Sequence, residues 1–474
     1  MKIIEPSIHS ISRYLYDNFD LYMEKSFVHP VVKFNDILPV LNKAKSTGKF
    51  DIEILGKSIE GRNIFSIKFG KGETKILAWS QMHGDEPTAT RVLFDLLNFF
   101  GCNDEADPVK NYILDKTQIV FIPMLNPDGA ERFSRRNAAK IDVNRDALKL
   151  RSPEASILFN CRKDFMPHFC LNLHNQNSSY TAGYNHHSAA ISFLSPPFNY
   201  RKEINAVREN SMKVIAHTAS ILHEFIPGHV ARYSDEFEPR AFGDNFTKDG
   251  SSTILIESGT WKDDSHKLFL EKISLIAVLS TMYSIVSKKY LNENIESYFS
   301  IPENKELMYD LIFRNLMYKK NDVDFLVDVA IKRKEKLDPG TKEIYIESSI
   351  EDFGDLSTYY GQEEIDCTGM EIFPGMIYNE KKFTNEEILT LDFDKYYAEG
   401  YTGINVDGIN NGCNNSRIPM NIVSCIHKIT TEIELENPAN FVIRKNNVIN
   451  YIVINGFFAD MQSKINNFQN GLIL

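Results

Sequence analysis

The chain has 474 residues, too many for one compact core, so two domains are expected. Hydrophobic residues make up 43% and charged residues 25%, which excludes a disordered or fibrous chain. With 53 basic against 64 acidic residues, the net charge is −11, which argues against a nucleic-acid groove as its main business.

Within the first 25 residues the charges Lys2, Glu5, Arg13, Asp17, Asp20, Glu24 and Lys25 interrupt every apolar stretch, so no secretory signal is expected. Strand-like runs follow at 51–55, 63–69, 75–80, 118–125, 169–173 and 253–256. Several are continuously apolar, the pattern of strands covered on both faces. Helical patterns fall between them at 87–100 (with Gly101 as a stop signal), 152–165, 200–224 and 264–289. Long helices between buried strands imply an α/β fold, a three-layer domain whose mostly parallel or mixed central sheet is flanked by helices. The greasiest run, 273–286, is one core helix long and shorter than the roughly 20 residues that span a bilayer.

A boundary is expected near 295, giving a catalytic domain over 1–295 and a smaller C-terminal α+β accessory domain over 296–474, of unknown role. Residues 303–336 are charged and helical in pattern. Short β-like pieces follow from 343, ending in a hairpin of 441–445 and 448–454 about Asn446 and Asn447. Residues 410–416 read as a polar loop, and Tyr396, Tyr397 and Tyr401 as packing. The six cysteines, at 102, 161, 170, 367, 413 and 425, form no C-x-x-C pair. Reduced thiols in a cytoplasmic compartment are expected.

The densest chemistry lies in S-Q-M-H-G-D-E-P-T at 80–88. His83 and Glu86 stand three apart directly after a buried strand, and Pro87 fits a first helical position. The pair thus sits at the carboxyl edge of the sheet, where α/β proteins place their sites. Imidazole and carboxylate at this spacing can hold one zinc ion from the same side. His174 closes the apolar strand F-C-L-N-L-H and would complete three protein ligands, leaving one position for water. Nine of the twelve histidines fall between 83 and 266, and His186–His187 is the best rival for that role. Glu257 ends T-I-L-I-E-S-G, either partnered structurally or acting as a general base with a raised pKa beside a metal-bound water. Arg135, Arg136 and Arg145 supply cations able to pair bidentately with a carboxylate, or simple surface charge.

Seven segments then occur in order: G-K-S-I-E-G-R at 56–62, H-G-D-E at 83–86, N-P-D-G at 126–129, R-R-N at 135–137, V-N-R-D at 143–146, L-H at 173–174 and I-E-S-G at 256–259. Together they resemble the zinc metallocarboxypeptidases of the carboxypeptidase A type, including their bacterial cytosolic members, over roughly residues 10–290. The resemblance implies one zinc ion held by His83, Glu86 and His174, with Glu257 as general base. It implies Arg135 as the oxyanion-stabilising cation and Asn144 with Arg145 as the grip on a substrate's terminal carboxylate.

Three places depart from the family pattern. Asn175–Gln176 follows His174 where a Ser is commoner; Tyr233 is an uncertain counterpart of the substrate-closing tyrosine; and Arg240 and Asp244, near a specificity pocket at 243–245, either select a charged side chain or pair with each other.

The expected function is a zinc-dependent carboxypeptidase acting on peptides or recycled cell-wall peptides, as the murein-peptide amidases of the family do. No nucleic acid or membrane partner is expected, and the oligomeric state is open. The alternatives are an N-acyl amino acid deacylase of the aspartoacylase-like type and a non-catalytic peptide-binding protein.

Overall fold

In the computed structural model, residues 7–341, 343–407, 413–423, 432–463 and 465–474 are described. Lys2, Glu5, Cys425 and part of the polar loop expected at 410–416 lie outside them. The chain divides into two compact units, Met1–Glu306 and Leu307–Leu474, against an expected boundary near 295.

In the first unit the strands are β1 Asp51–Lys57, β2 Asn63–Phe69, β3 Thr74–Trp79, β4 Thr117–Ile122, β5 Phe169–Asn175, β6 Tyr180–Ala182, β7 Ile191–Leu194, β8 Val230–Arg232, β9 Ser252–Ser258 and β10 Asn304–Glu306. The α-helices are α1 Ile8–Asp17, α2 Phe34–Ser46, α3 Thr88–Gly101, α4 Asp107–Lys116, α5 Pro127–Glu131, α6 Pro153–Phe165, α7 Ala206–Leu222, α8 Phe242–Lys248, α9 Leu268–Ser287 and α10 Ile295–Phe299. Eight strands form one mixed sheet in the order β1-β2-β4-β3-β5-β9-β7-β8. Its centre, β4-β3-β5-β9, is parallel, so three carboxyl ends, of β3, β5 and β9, lie side by side.

Strand alternation divides the interior in two. On β5, Phe169, Leu171 and Leu173 join the core beneath α1–α4, α7 and α9. Cys170 joins the opposite core, with Leu158 of α6 and Phe242 and Phe246 of α8. This is the expected three-layer α/β arrangement. Helix α9 is apolar all round, as a helix surrounded by protein should be, and packs against α3 and α7. It is long and apolar enough to cross a membrane, yet 89% of its most apolar window is buried within the protein. Helix α3 begins one residue later than expected: Pro87 is the residue before its first turn.

The second unit is richer in sheet than an α+β domain. The region 303–336, expected to be helical, is instead strand: β11 Met308–Lys320 and β12 Val323–Leu337 form a long hairpin after β10. Its turn is Asn321–Asp322, at φ 53° and 63°, the left-handed pair that a tight hairpin requires. The charges of β12 lie near opposite charges on the neighbouring strand Ile344–Gly354, as in Lys334–Glu351 and Lys336–Glu347, so a polar stretch that mimics a solvated helix is a cross-strand ladder. The strands β13 Ile344–Gly354, β14 Tyr360–Pro374, β15 Met376–Phe383, β16 Tyr401–Val406, β17 Asn421–Val423, β18 Phe441–Lys445, β19 Val448–Ile454, β20 Phe457–Asp460 and β21 Ile465–Asn466 complete the unit, with one α-helix, α11 Phe393–Glu399, among the described residues. They build an eight-stranded sheet, β13-β12-β11-β14-β18-β19-β20-β21, and a three-stranded sheet, β15-β16-β17. The hairpin expected about Asn446–Asn447 forms, with φ 52° and 63°. Tyr396, Tyr401 and Tyr378 pack edge to face, and Tyr397 is buried with its hydroxyl donating to Pro419 O at 2.6 Å.

Candidate metal centre

The turn after β3 is shaped by the N-P-D-G turn beside it. A Cβ on Gly84 would stand 2.0 Å from the carbonyl carbon of Gly129, so only glycine permits this approach. Asn126 caps α5 by accepting Gly129 N–H at 2.9 Å, and its Nδ2 donates to Met82 O at 3.3 Å. Asp128 is in turn held by Ser58 Oγ, Glu60 N–H and Arg62 Nη1 at 2.7–2.9 Å. The G-K-S-I-E-G-R and N-P-D-G segments are therefore the scaffold on which His83 is mounted.

His83 and Glu86, in the turn after β3, converge with His174 near the end of β5, all buried, with one potential ligand atom from each within 4.8 Å of the others. Glu86 bridges the imidazoles: Oε1 lies 2.7 Å from His83 Nδ1 and Oε2 2.7 Å from His174 Nδ1. Asp142 Oδ1 lies 3.3 Å from His83 Nε2, so the neutral tautomer that donates to Asp142 turns its Nδ1 lone pair towards Glu86. Arg135 Nη1, itself a donor, lies 3.1 Å from the same Nδ1. Two lone pairs this close need a shared cation or proton. Two imidazoles and a carboxylate, with a carboxylate second partner on one histidine, are a donor set that would hold zinc. The residues fit zinc.

Without a metal, the same contacts shift the proton affinities of the cluster. Burial alone would lower His83, but Glu86 and the Asp142 hydrogen bond outweigh it and hold the imidazole up at about 9. Burial alone would raise Glu86 and Asp142; the surrounding imidazoles and Arg135 instead push both well below the usual carboxylate range. Burial lowers His174. Glu257 pairs in register with His174 across β5 and β9. It is pushed up to about 8 by burial and by the Glu86 charge, and its Oε2 has no hydrogen-bond partner.

The remaining expected residues lie around this centre. Arg135 donates from Nε to Asp142 Oδ2 at 3.0 Å and leaves 44% of its side chain exposed. Asn144 is buried and accepts Phe242 N–H at 3.0 Å, which ties the V-N-R-D turn to α8. Arg145 is partly exposed, donates to Asn144 O at 2.8 Å and has its Nε 3.2 Å from Glu238 Oε2. Tyr233 follows β8 with its hydroxyl 3.0 Å from Tyr180 Oη; burial and that hydrogen bond raise its pKa, and the Glu257 charge adds to the rise.

Other histidines stand apart from the metal centre. His187 stacks on His229, whose ring meets Trp261, and His186 packs edge-on against His187. Arg240 pairs with Glu238 rather than Asp244, at 2.8 Å. Asp244 accepts the Glu238 N–H at 3.0 Å, and burial pushes its carboxyl up to about 7.

Reading the sequence missed Asp142, although it directly precedes V-N-R-D. Its link to His83 spans 59 residues of sequence, and only the assembled loop shows it. Tyr180 carried no signal at all.

Residues 43–225 match the family model described as zinc carboxypeptidase. Carboxypeptidase D of Mus musculus is 34% identical over 94 residues, 18% of this chain and 7% of that protein. Carboxypeptidase SOL1 of Arabidopsis thaliana is 30% identical over 126 residues, 23% of this chain and 26% of that protein. The chain therefore spans about a quarter or less of the length of these curated relatives. Among solved structures, a metallo-carboxypeptidase from Burkholderia cenocepacia aligns at 15% identity over 54% of this chain and 70% of its own, with a TM-score of 0.43. Carboxypeptidase A from Helicoverpa armigera aligns at 14% identity over 55% and 74%, also with a TM-score of 0.43. Residues 43–225 are thus similar in sequence to the zinc carboxypeptidases.

Proposed function

We propose that the chain is a zinc-dependent carboxypeptidase that hydrolyses the amide bond before a residue bearing a free carboxylate. The observation that carries this reading is the convergence of His83, Glu86 and His174 beside a half-buried Glu257 whose buried Oε2 has no partner. Zinc bound there supplies Lewis acidity and brings the pKa of water towards neutrality.

The chain's own groups do the rest. Glu257 Oε2 takes a proton from the attacking water and delivers it to the leaving nitrogen. Burial and the neighbouring Glu86 charge raise its proton affinity above that of a free glutamate, the direction a proton carrier between water and amine needs. The guanidinium of Arg135, beside the ligand cluster, faces the charge that develops on the carbonyl oxygen. Arg145 and Asn144 grip the terminal carboxylate, with Arg145 exchanging its contact with Glu238 for the substrate. Tyr233 covers the bound peptide from the Tyr180 side.

The five described cysteines are unpaired, which supports a reducing, cytoplasmic setting as part of the same proposal. The test is metal analysis of purified protein alongside hydrolysis of peptide pools with free and amidated C-termini. Zinc near one per chain and cleavage of free-carboxylate peptides alone are expected. A protein that retains no zinc and cleaves nothing overturns the reading. Preference for an N-acetyl amino acid over a dipeptide moves it to deacylation.

A further inference from the structure

One step below the metal-ligand level, the sheet carries polar atoms that the fold leaves unmatched. Asn172 shares its strand face with His174, two residues on, and is 1% exposed. Neither its Nδ2 nor its Oδ1 has a hydrogen-bond partner. Its register neighbours are Trp79 on β3, whose Nε1 is also unpaired, and Leu255 on β9. Facing it is α8. A Cβ on Gly243 would stand 3.7 Å from Asn172 Nδ2 and 3.0 Å from Pro196 Cγ. One helical turn further, Thr247 is fully buried and its Oγ1 also lacks a partner. A buried polar group without a partner keeps its full desolvation penalty. An amide in an apolar layer, directly beneath the reacting centre, fits a ligand that supplies the missing bonds.

We propose that Asn172 selects the C-terminal side chain of the substrate, and that this side chain ends in a carboxamide, as in glutamine or asparagine. The inference rests on the carboxypeptidase reading above and names its substrate class. The Asn172 amide offers two donors and one acceptor, and a second carboxamide answers both kinds in a paired arrangement. A carboxylate would accept from Nδ2 but leave the Oδ1 acceptor unpaired, with no cation among Trp79, Leu255, Gly243 and Thr247 to offset its charge, and with Glu86 and Glu257 one level above. An ammonium would face the Nδ2 donors. The one carboxylate on α8, Asp244, is engaged by the Glu238 N–H. An aliphatic side chain leaves the amide unpaired, and sites built around hydrogen bonds reject such ligands strongly.

The test uses the full chain loaded with zinc and benzoylglycyl dipeptides ending in Gln, Asn, Leu, Lys or Glu. The expected kcat/KM favours Gln or Asn over Leu by at least about tenfold, and Asn172→Leu reverses that ratio. Because a core variant can fail to fold, the near-isosteric Asn172→Asp is measured as well, and it too should lose the carboxamide preference. Calorimetric titration of free glutamine, asparagine and leucine into each protein gives a readout independent of turnover. A wild-type preference for Leu, Lys or Glu overturns the inference, as does a carboxamide preference that survives both substitutions. Cleavage of all the dipeptides without discrimination defeats this inference and leaves the carboxypeptidase reading standing. If nothing is cleaved, that reading fails and calorimetry decides alone. Tighter binding of glutamine or asparagine that depends on Asn172 supports the pocket, and equal binding of all three overturns it.

Discussion

Glu257 and Asp142 divide the work around the metal ligands, and substitution should separate them. In the proposed mechanism Glu257 carries the proton, and it is not among the three converging residues. Glu257→Gln should therefore keep zinc while peptide hydrolysis falls by about 10²–10⁴; metal analysis and rate assays on one preparation measure both, and an unchanged rate would remove Glu257 as the base. Asp142 orients His83 through Nε2 and also holds Arg135. Asp142→Asn should weaken zinc affinity by about 10–100-fold, read by competition against a chelator. Affinity equal to wild type would mean that the histidine needs no such partner. His83, Glu86, His174 and Glu257 were legible in the sequence because each sits beside or at the end of an apolar strand. Asn172 was not, because an asparagine inside an apolar run gives no sign of whether its amide is paired.

At the scale of elements, turns decide where these side chains arrive. Gly84 meets Gly129 backbone to backbone. Gly84→Ala should cost at least about 1–3 kcal/mol and lower zinc retention together with the thermal midpoint; a normal midpoint would show that the two turns can separate freely. In the second unit, Asn447 occupies the left-handed region at φ 63°. Asn447→Gly should preserve stability, whereas Asn447→Val should lose about 1–2 kcal/mol, seen as a lower midpoint in calorimetry. The Asn446–Asn447 hairpin was readable because apolar runs flank it. The equivalent Asn321–Asp322 turn was not, because the charges of β12 resemble the wet face of a helix until β13 is placed beside them.

The whole molecule should respond to metal and to acid in different units. Zinc at a thousand times its dissociation constant stabilises the folded state by about 4 kcal/mol. Chelation should therefore lower the unfolding midpoint of the first unit, and a midpoint indifferent to chelator would contradict a structural share for the metal. Acid acts on Asp338 in the second unit. Burial alone would raise its carboxyl, but N–H groups of Gly340, Thr341, Asn414 and Asn415 donate to it at 2.7–2.9 Å and hold it at about 2, against an ordinary 3.8. Its stabilisation is complete above about pH 4 and disappears as pH falls towards 2, because the unfolded chain takes up the proton first. Asp338→Asn should flatten that part of the acid-unfolding curve; an unaltered curve would assign the acid sensitivity elsewhere.

By itself the sequence determined the three-layer α/β unit and the strand ends that carry the candidate metal ligands. Apolar periodicity and short motifs are local, and a parallel sheet must bring the carboxyl ends of neighbouring strands to one edge. Only the tertiary structure decided which polar groups are paired and which are left open, and whether a charged stretch is helix or strand. Those outcomes depend on partners distant in sequence, brought within hydrogen-bonding range when the layers close.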